Sequence, residues 1–361
     1  MNAVEPQEPG IEKSAAEPHV GPSTLKRIVA AWPRRATVRT DIAAFMEAED
    51  SASGVTDYPV RLIPFAEHPR FLEAPEESRR LVNTLAWQAY NARVIAAEEY
   101  VANPTFEMLT HGVFPGVDRY EAKEAVQQSH IDEVWHTYMH MTAMQRTKEA
   151  RNLTVQPDYS HPVTNRRLFE LTAKRSEKWE RDILFLVWTV VGELHINNFL
   201  ELLARDQTIQ PMHALVARLH ARDEAAHGPI VAEVMKDIFV HLNREQRELF
   251  IRTLPDAITA LGAQDYEIWS DILNFVGMDG TTEIIADTRR LPGTEMMLTD
   301  FSTVERLVRD LGIADAVDYD FTETGTDPDT DPDTNPYPAP EPKRVSAGAK
   351  DARVHSSAPQ E

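Results

Sequence analysis

Two short stretches carry the same side chains at the same spacing. In DEVWH (residues 132–136) and DEAAH (residues 223–227), a glutamate precedes a histidine by three positions. On an α-helix such a pair shares one face, a turn apart. His220 stands four residues before Glu224 and joins that stripe. A lone glutamate lies in an apolar segment ahead of each pair: Glu98 in ARVIAAEEYV and Glu193 in VVGELHI. A single Glu-x-x-His is frequent on helices by chance. A glutamate on one helix followed by Glu-x-x-His on the next, occurring twice, has chemical content. Four carboxylates buried together without cations are prohibitively costly. Two divalent metal ions offset that charge, with Glu133 and Glu224 placed to bridge them. Mixed carboxylate and imidazole donors suit iron or manganese rather than a soft metal.

The neighbours of these residues extend the pattern. Asp132 and Asp223 each lie four positions before a histidine, and are expected to reach the outer ring N–H of His136 and His227 respectively. His220 is either a helix-face histidine satisfied by a neighbour or a seventh ligand adding a nitrogen donor. Zinc hydrolysis fits less well, because HARDEAAH is H-x-x-x-E-x-x-H and not the H-E-x-x-H of a metalloprotease. Glu99 points about 100° from Glu98 on a helix and is expected to face solvent. His111, His130, His140 and His195 read as packing or surface residues, Tyr90 as a core residue that could instead line a pocket, and the methionines of HTYMHMTAM as packing.

Helices must bring these positions level. Apolar periodicity predicts helices over about 75–102, 120–148, 176–205 and 211–242. The first is expected to be stopped by Asn103-Pro104. Glu98 and Glu133 are 35 positions apart and Glu193 and Glu224 are 31 apart, the separation expected of mid-helix residues in antiparallel hairpins. The 60 positions between Glu133 and Glu193 are too many for a hairpin and suit a crossover carrying RRLFELTAKR. The expected fold is all-α: a ferritin-like four-helix bundle with a long crossover and additional flanking helices in REQRELFIRTL, DAITALGAQDYEIWSDILNFV and TVERLVRDLGI. The best strand signal, YPVRLIPF near residue 60, is expected to be a covering segment.

The 361 residues are 42% hydrophobic and 26% charged, as in ordinary globular chains. Residues 1–22 and 322–361 are Pro-rich and lack an apolar face, so they are expected to be disordered tails around one domain at 23–321. The aspartates of TDPDTDPDTNP lack the glycine and terminal glutamate of a calcium loop. A net charge of −21 argues against nucleic acid and anionic membranes. The absence of cysteine excludes disulfides, iron–sulfur clusters and thiol nucleophiles, and fits a cytoplasmic location. The N-terminus has no apolar core of signal-peptide length. ILFLVWTVVGELHINNFLELLA could span a bilayer by length, but Glu193, His195, Asn197 and Asn198 in its middle make it a buried helix instead. No Gly-rich dinucleotide fingerprint opens a helix.

RVIAAEEY, HGVFPG, DEVWHTYMHM, LLARDQTIQPMH and LHARDEAAHG together resemble the p-aminobenzoate N-oxygenase family of di-iron arylamine oxygenases, over about residues 23–321. The histidine at the His220 position is a mark of that family and is not used in ferritins. The resemblance implies seven iron ligands, Glu98, Glu133, His136, Glu193, His220, Glu224 and His227, with His220 and His227 both on the iron bound by Glu193. It implies two iron ions cycling between Fe2+ and Fe3+ through a peroxo-bridged intermediate, and O2 as co-substrate. A reductase or ferredoxin-type donor, a homodimer and a place in natural-product biosynthesis are further implications. The reaction implied is oxidation of an aromatic amine through hydroxylamine and nitroso stages to a nitroarene, with Arg93 or Arg289 available to a carboxylated substrate. The rival readings are a di-iron C–H hydroxylase or desaturase, and a non-enzymatic iron-handling bundle like ferritin.

Overall fold

The computed structural model describes residues 23–41, 46, 52 and 54–321. The tails expected at 1–22 and 322–361 lie outside the described residues. The α-helices run, in chain order, α1 Thr24–Arg35, α2 Pro69–Glu73, α3 Glu76–Ala97, α4 Asn103–Thr110, α5 Tyr120–Ala150, α6 Val163–Thr172, α7 Lys178–Ala204, α8 Pro211–His241, α9 Arg244–Gly262, α10 Tyr266–Val276, α11 Thr281–Thr288 and α12 Ser302–Asp310. Their ends follow local chemistry. Pro211 occupies the first turn of α8, where its missing N–H costs nothing. Asn243 and Gln246 form a reciprocal capping box on α9. Gly277 ends α10 in a left-handed conformation.

Helices α3, α5, α7 and α8 form the bundle, and α6 sits in the crossover between α5 and α7. Helix α7 is long and apolar enough to cross a membrane, but 72% of its most apolar window is buried, as a helix hydrophobic on every side must be inside a globular core. The buried apolar residues fall into two clusters. One holds Val101, Val126, Val191 and Ile230; the other holds Val94, Met139, Phe199 and Ala217. Helices α5, α7 and α8 contribute to both, whereas α3 contributes to the second and the residues just after it, Val101 and Ala102, to the first. The ionisable residues Glu98, Glu133, His136, Glu193, Glu224 and His227 lie where the two contributions meet. The site is therefore a polar belt where two apolar halves meet.

Two expectations are corrected. Asn103-Pro104 does not stop the first helix. Residues Glu98–Ala102 form a π-turn that continues directly into α4. The Asn103 N–H bonds the Glu98 carbonyl five residues back, and Pro104 falls at the start of α4, where its missing N–H is tolerated. A π-turn placed at a charged cluster residue recurs at functional sites. YPVRLIPF forms no strand. It contains a 3₁₀ turn, Val60–Leu62, and the neighbouring Thr56 makes only an isolated bridge to Ile209. Helix α1, which had no counterpart in the sequence reading, packs on α5 and α8.

Candidate metal centre

The four glutamates and three histidines meet inside the bundle, and all seven are buried. One donor atom each from Glu98, His136, His220 and Glu224 lie within 4.8 Å of one another, as do donors from Glu133, Glu193, Glu224 and His227. Glu224 belongs to both groups, as expected of a bridge. Glu133 falls in the second group, although its Oε1 is also 3.9 Å from His136 Nδ1. His220 does not join Glu193 and His227. Its Nε2 lies 3.4 Å from Glu98 and 3.2 Å from Glu224, because one helical turn back from Glu224 carries it to the opposite end of the belt from His227. Helices α7 and α8 can approach closely here because residue 228 is glycine. A Cβ at that position would sit 3.3 Å from the Glu193 carbonyl oxygen.

The aspartates are reached crosswise. His136 Nε2 lies 3.3 Å from Asp223, and His227 Nε2 lies 3.3 Å from Asp132. Each histidine donates to the aspartate of the other helix, not to the one four residues before it. Residues 132 and 136 meet 227 and 223, so α5 and α8 are antiparallel. Because the two helices run antiparallel, each aspartate stands level with the histidine of the other helix. Helix α1 and the turn after it complete this arrangement. Trp32 Nε1 donates to both Asp132 oxygens at 3.0 Å. Arg35 pairs with Asp223 at 3.1 Å and with Asp132 at 3.7 Å, and the Thr37 N–H and hydroxyl donate to Asp223.

With the outer nitrogens so occupied, His136 Nδ1, His227 Nδ1 and His220 Nε2 face the carboxylates. His227 Nδ1 is 2.7 Å from Glu133, 3.1 Å from Glu224 and 3.5 Å from Glu193. Yet these three nitrogens, Glu98 Oε2, Glu133 Oε1, Glu193 Oε2 and both Glu224 oxygens have no hydrogen-bond partner of acceptable geometry. Buried polar atoms are rarely left so; eight converging on one spot fit coordination of cations. The electrostatics agree. Burial, followed by Glu224 and Glu193, pushes Glu98 up to about 8. Burial and neighbouring carboxylates raise Glu133 and Glu193 well above the usual range. Burial also opposes ionisation of Glu224, but His227 and His220 hold it well below. His227 is raised despite burial by Glu224, Glu133 and its bond to Asp132, so the belt demands positive charge where it stands. Burial and His220 lower His136 to about 4, which keeps its lone pair free.

Two adjoining cavities of about 200 and 80 Å³ reach this belt. The inner one touches Glu98, Glu193 and Glu224, and the wall shared with the outer one includes Tyr90, Arg93, Phe199 and Met297. Tyr90, expected in the core, therefore lines a cavity, with its buried hydroxyl unpaired. Among the described residues, no other Lys or Arg lines either cavity. Arg93 also donates to the Leu261 carbonyl at 2.7 Å. Arg289 is elsewhere, stacked over Tyr266, and Glu99 is exposed. His140, read as packing, contacts His220. Its place seven residues after Glu133, on the same helical face, was the signal for it. Trp32 and Arg35 had no local signal at all.

The helix order, the long crossover and the buried carboxylate–imidazole belt define a ferritin-like bundle with a metal site. The family model described as "P-aminobenzoate N-oxygenase AurF" matches residues 21–312. The 4-aminobenzoate N-oxygenase of Streptomyces thioluteus is 46% identical over 307 residues, covering 85% of this chain and 91% of that protein. The chain belongs to the p-aminobenzoate N-oxygenase AurF family and is an arylamine N-oxygenase. The rival hydroxylase, desaturase and iron-storage readings find no support in these relatives.

Proposed function

We propose that Glu98, Glu133, His136, Glu193, His220, Glu224 and His227 hold two iron ions, and that the substrate is an aromatic amine bearing a carboxylate, such as 4-aminobenzoate. The observation that carries this reading is the convergence of eight unpaired donor atoms beside a cavity that Arg93 lines. When bound, the irons supply the electrons that activate O2 for oxygen transfer to the amine nitrogen, and an external reductase or ferredoxin-type protein in the cytoplasm replaces those electrons. The first oxidation balances as amine, O2, two electrons and two protons giving hydroxylamine and water; further rounds lead to the nitro level.

The protein's own part is positional. Asp223 and Asp132 accept from the Nε2–H of His136 and His227, which leaves each Nδ1 lone pair aimed at the cluster. Arg93 pairs with the substrate carboxylate and so holds the amino group toward the belt. Tyr90, Phe199 and Met297 narrow the route and limit water. The working assembly is a homodimer.

The test is a single-turnover experiment. The chain is loaded anaerobically with two equivalents of ferrous iron, exposed to O2, and mixed with 4-aminobenzoate, aniline and other arylamines for mass spectrometry. N-oxygenated product from the carboxylated amine is expected. Glu193→Ala is expected to lose both iron and activity while keeping its helicity. Unchanged iron content in that variant would refute the ligand set.

A further inference from the structure

Each inward-facing imidazole must place its second ring nitrogen on something. For His136 and His227 the partner is a carboxylate, but for His220 it is another imidazole. His220 Nδ1 lies 2.9 Å from His140 Nε2, and His140 Nδ1 lies 2.7 Å from Asn91 Oδ1. Asn91 donates from Nδ2 to the Trp87 carbonyl at 2.7 Å. Asn91, His140 and His220 are fully buried.

The last link sets the direction of every bond in this chain. A carbonyl only accepts, so the Asn91 amide turns its nitrogen to Trp87 and its oxygen to His140. That oxygen only accepts, so His140 Nδ1 carries a hydrogen. No carboxylate among the described residues pairs with His140, and a neutral imidazole has a single N–H. His140 Nε2 is therefore bare and accepts from His220 Nδ1–H. The lone pair of His220 is left on Nε2, the atom facing Glu98 and Glu224.

We propose that Asn91 and His140 are positioning residues that fix the tautomer of His220 and so make it a nitrogen donor to the metal held with Glu98, His136 and Glu224. This rests on the metal reading above. A neutral ring polarises its partner less than a carboxylate does, so His220 is the weakest of the three nitrogen donors and the two metal positions are inequivalent by construction.

The experiment is an anaerobic ferrous titration of the full chain, with iron counted per chain by mass spectrometry after desalting and helicity followed by circular dichroism. His140→Leu removes the acceptor. It is expected to keep one iron at the wild-type affinity and to weaken the other about 10–100-fold. His140→Gln, which returns an oxygen acceptor near the Nε2 position, is expected to stay within a few-fold of wild type. Asn91→Ala leaves the ring but frees its tautomer. It is expected to weaken the same single site several-fold, and it serves as the test if His140→Leu loses its helices. Two unaltered sites in a folded His140→Leu or Asn91→Ala chain would overturn the relay, as would equal loss in the Leu and Gln variants. A wild-type chain that binds fewer than two irons would refute the metal reading itself, and only that outcome bears on both.

Discussion

Stripping the metal should leave a protein whose stability falls as the solution turns alkaline, over a window set by the buried glutamates. The folded Glu98 titrates at about 8 against an ordinary 4.5, so between those values the folded state holds a proton that the unfolded chain has released. Stability then falls with rising pH. Glu133 and Glu193 are raised in the same direction. His227 is also raised, and its contribution is lost as pH rises through its folded value. Below about 7.5 this slope is opposed, because His136, His195 and His213, each held near 4 by burial, and His130 and His140, which burial also lowers, charge up on unfolding. Above about 7.5 nearly all of those rings are neutral in both states and they contribute little slope.

The clean window is therefore about pH 7.5 to 9. Over it, Glu98 alone, which itself ionises near 8, removes about 1 kcal/mol, and the other raised groups add to that. Bound cations keep the carboxylates ionised, so the loaded chain should lack this slope. The assay is urea unfolding followed by circular dichroism at half-unit steps, on chelator-stripped protein and on protein loaded anaerobically with ferrous iron. A stripped chain equally stable at pH 7.5 and 9 would refute the reasoning, as would a loaded chain that declines just as steeply.

Arg35→Ala leaves Asp132 and Asp223 buried with one cation fewer, and should cost about 3 kcal/mol in urea unfolding and reduce iron retention. No change in either would show that α1 merely covers the bundle. Arg93→Leu should raise KM for 4-aminobenzoate about 10–100-fold, the worth of a charged hydrogen bond, with iron content unaltered and turnover of aniline spared. An equal loss with aniline would remove Arg93 from carboxylate recognition. Gly228→Val forces α7 and α8 apart at the Glu193 carbonyl, and should cost about 1–3 kcal/mol. It should also weaken the iron held by Glu133, Glu193, Glu224 and His227 more than its neighbour, which an iron titration would register.

The bundle helices were legible because their signals are local. Lone charges in apolar runs marked Glu98 and Glu193, and Glu-x-x-His on one helical face marked Glu133, His136, Glu224 and His227. The 35- and 31-residue intervals set the hairpins, and α5 and α8 lie within a few residues of the periodicity's bounds. The break expected at Asn103-Pro104 failed because a π-turn carries the backbone into the next helix and leaves Pro104 in its first turn, where a missing N–H is tolerated.

What stayed hidden was which faces meet across the bundle. Asp132 serves His227 rather than His136 because antiparallel α5 and α8 present each aspartate to the opposite histidine. His220 joins Glu98 and His136 rather than Glu193 because a turn of helix moves it along the belt. Trp32 and Arg35 reach their aspartates across 97 to 188 residues of chain. A helix and its stripe arise from backbone geometry repeated every few residues, so a linear string encodes them directly. Partners drawn from different helices depend on how far each helix slides and rotates when the whole core packs, and that balance exists only once all the elements are together.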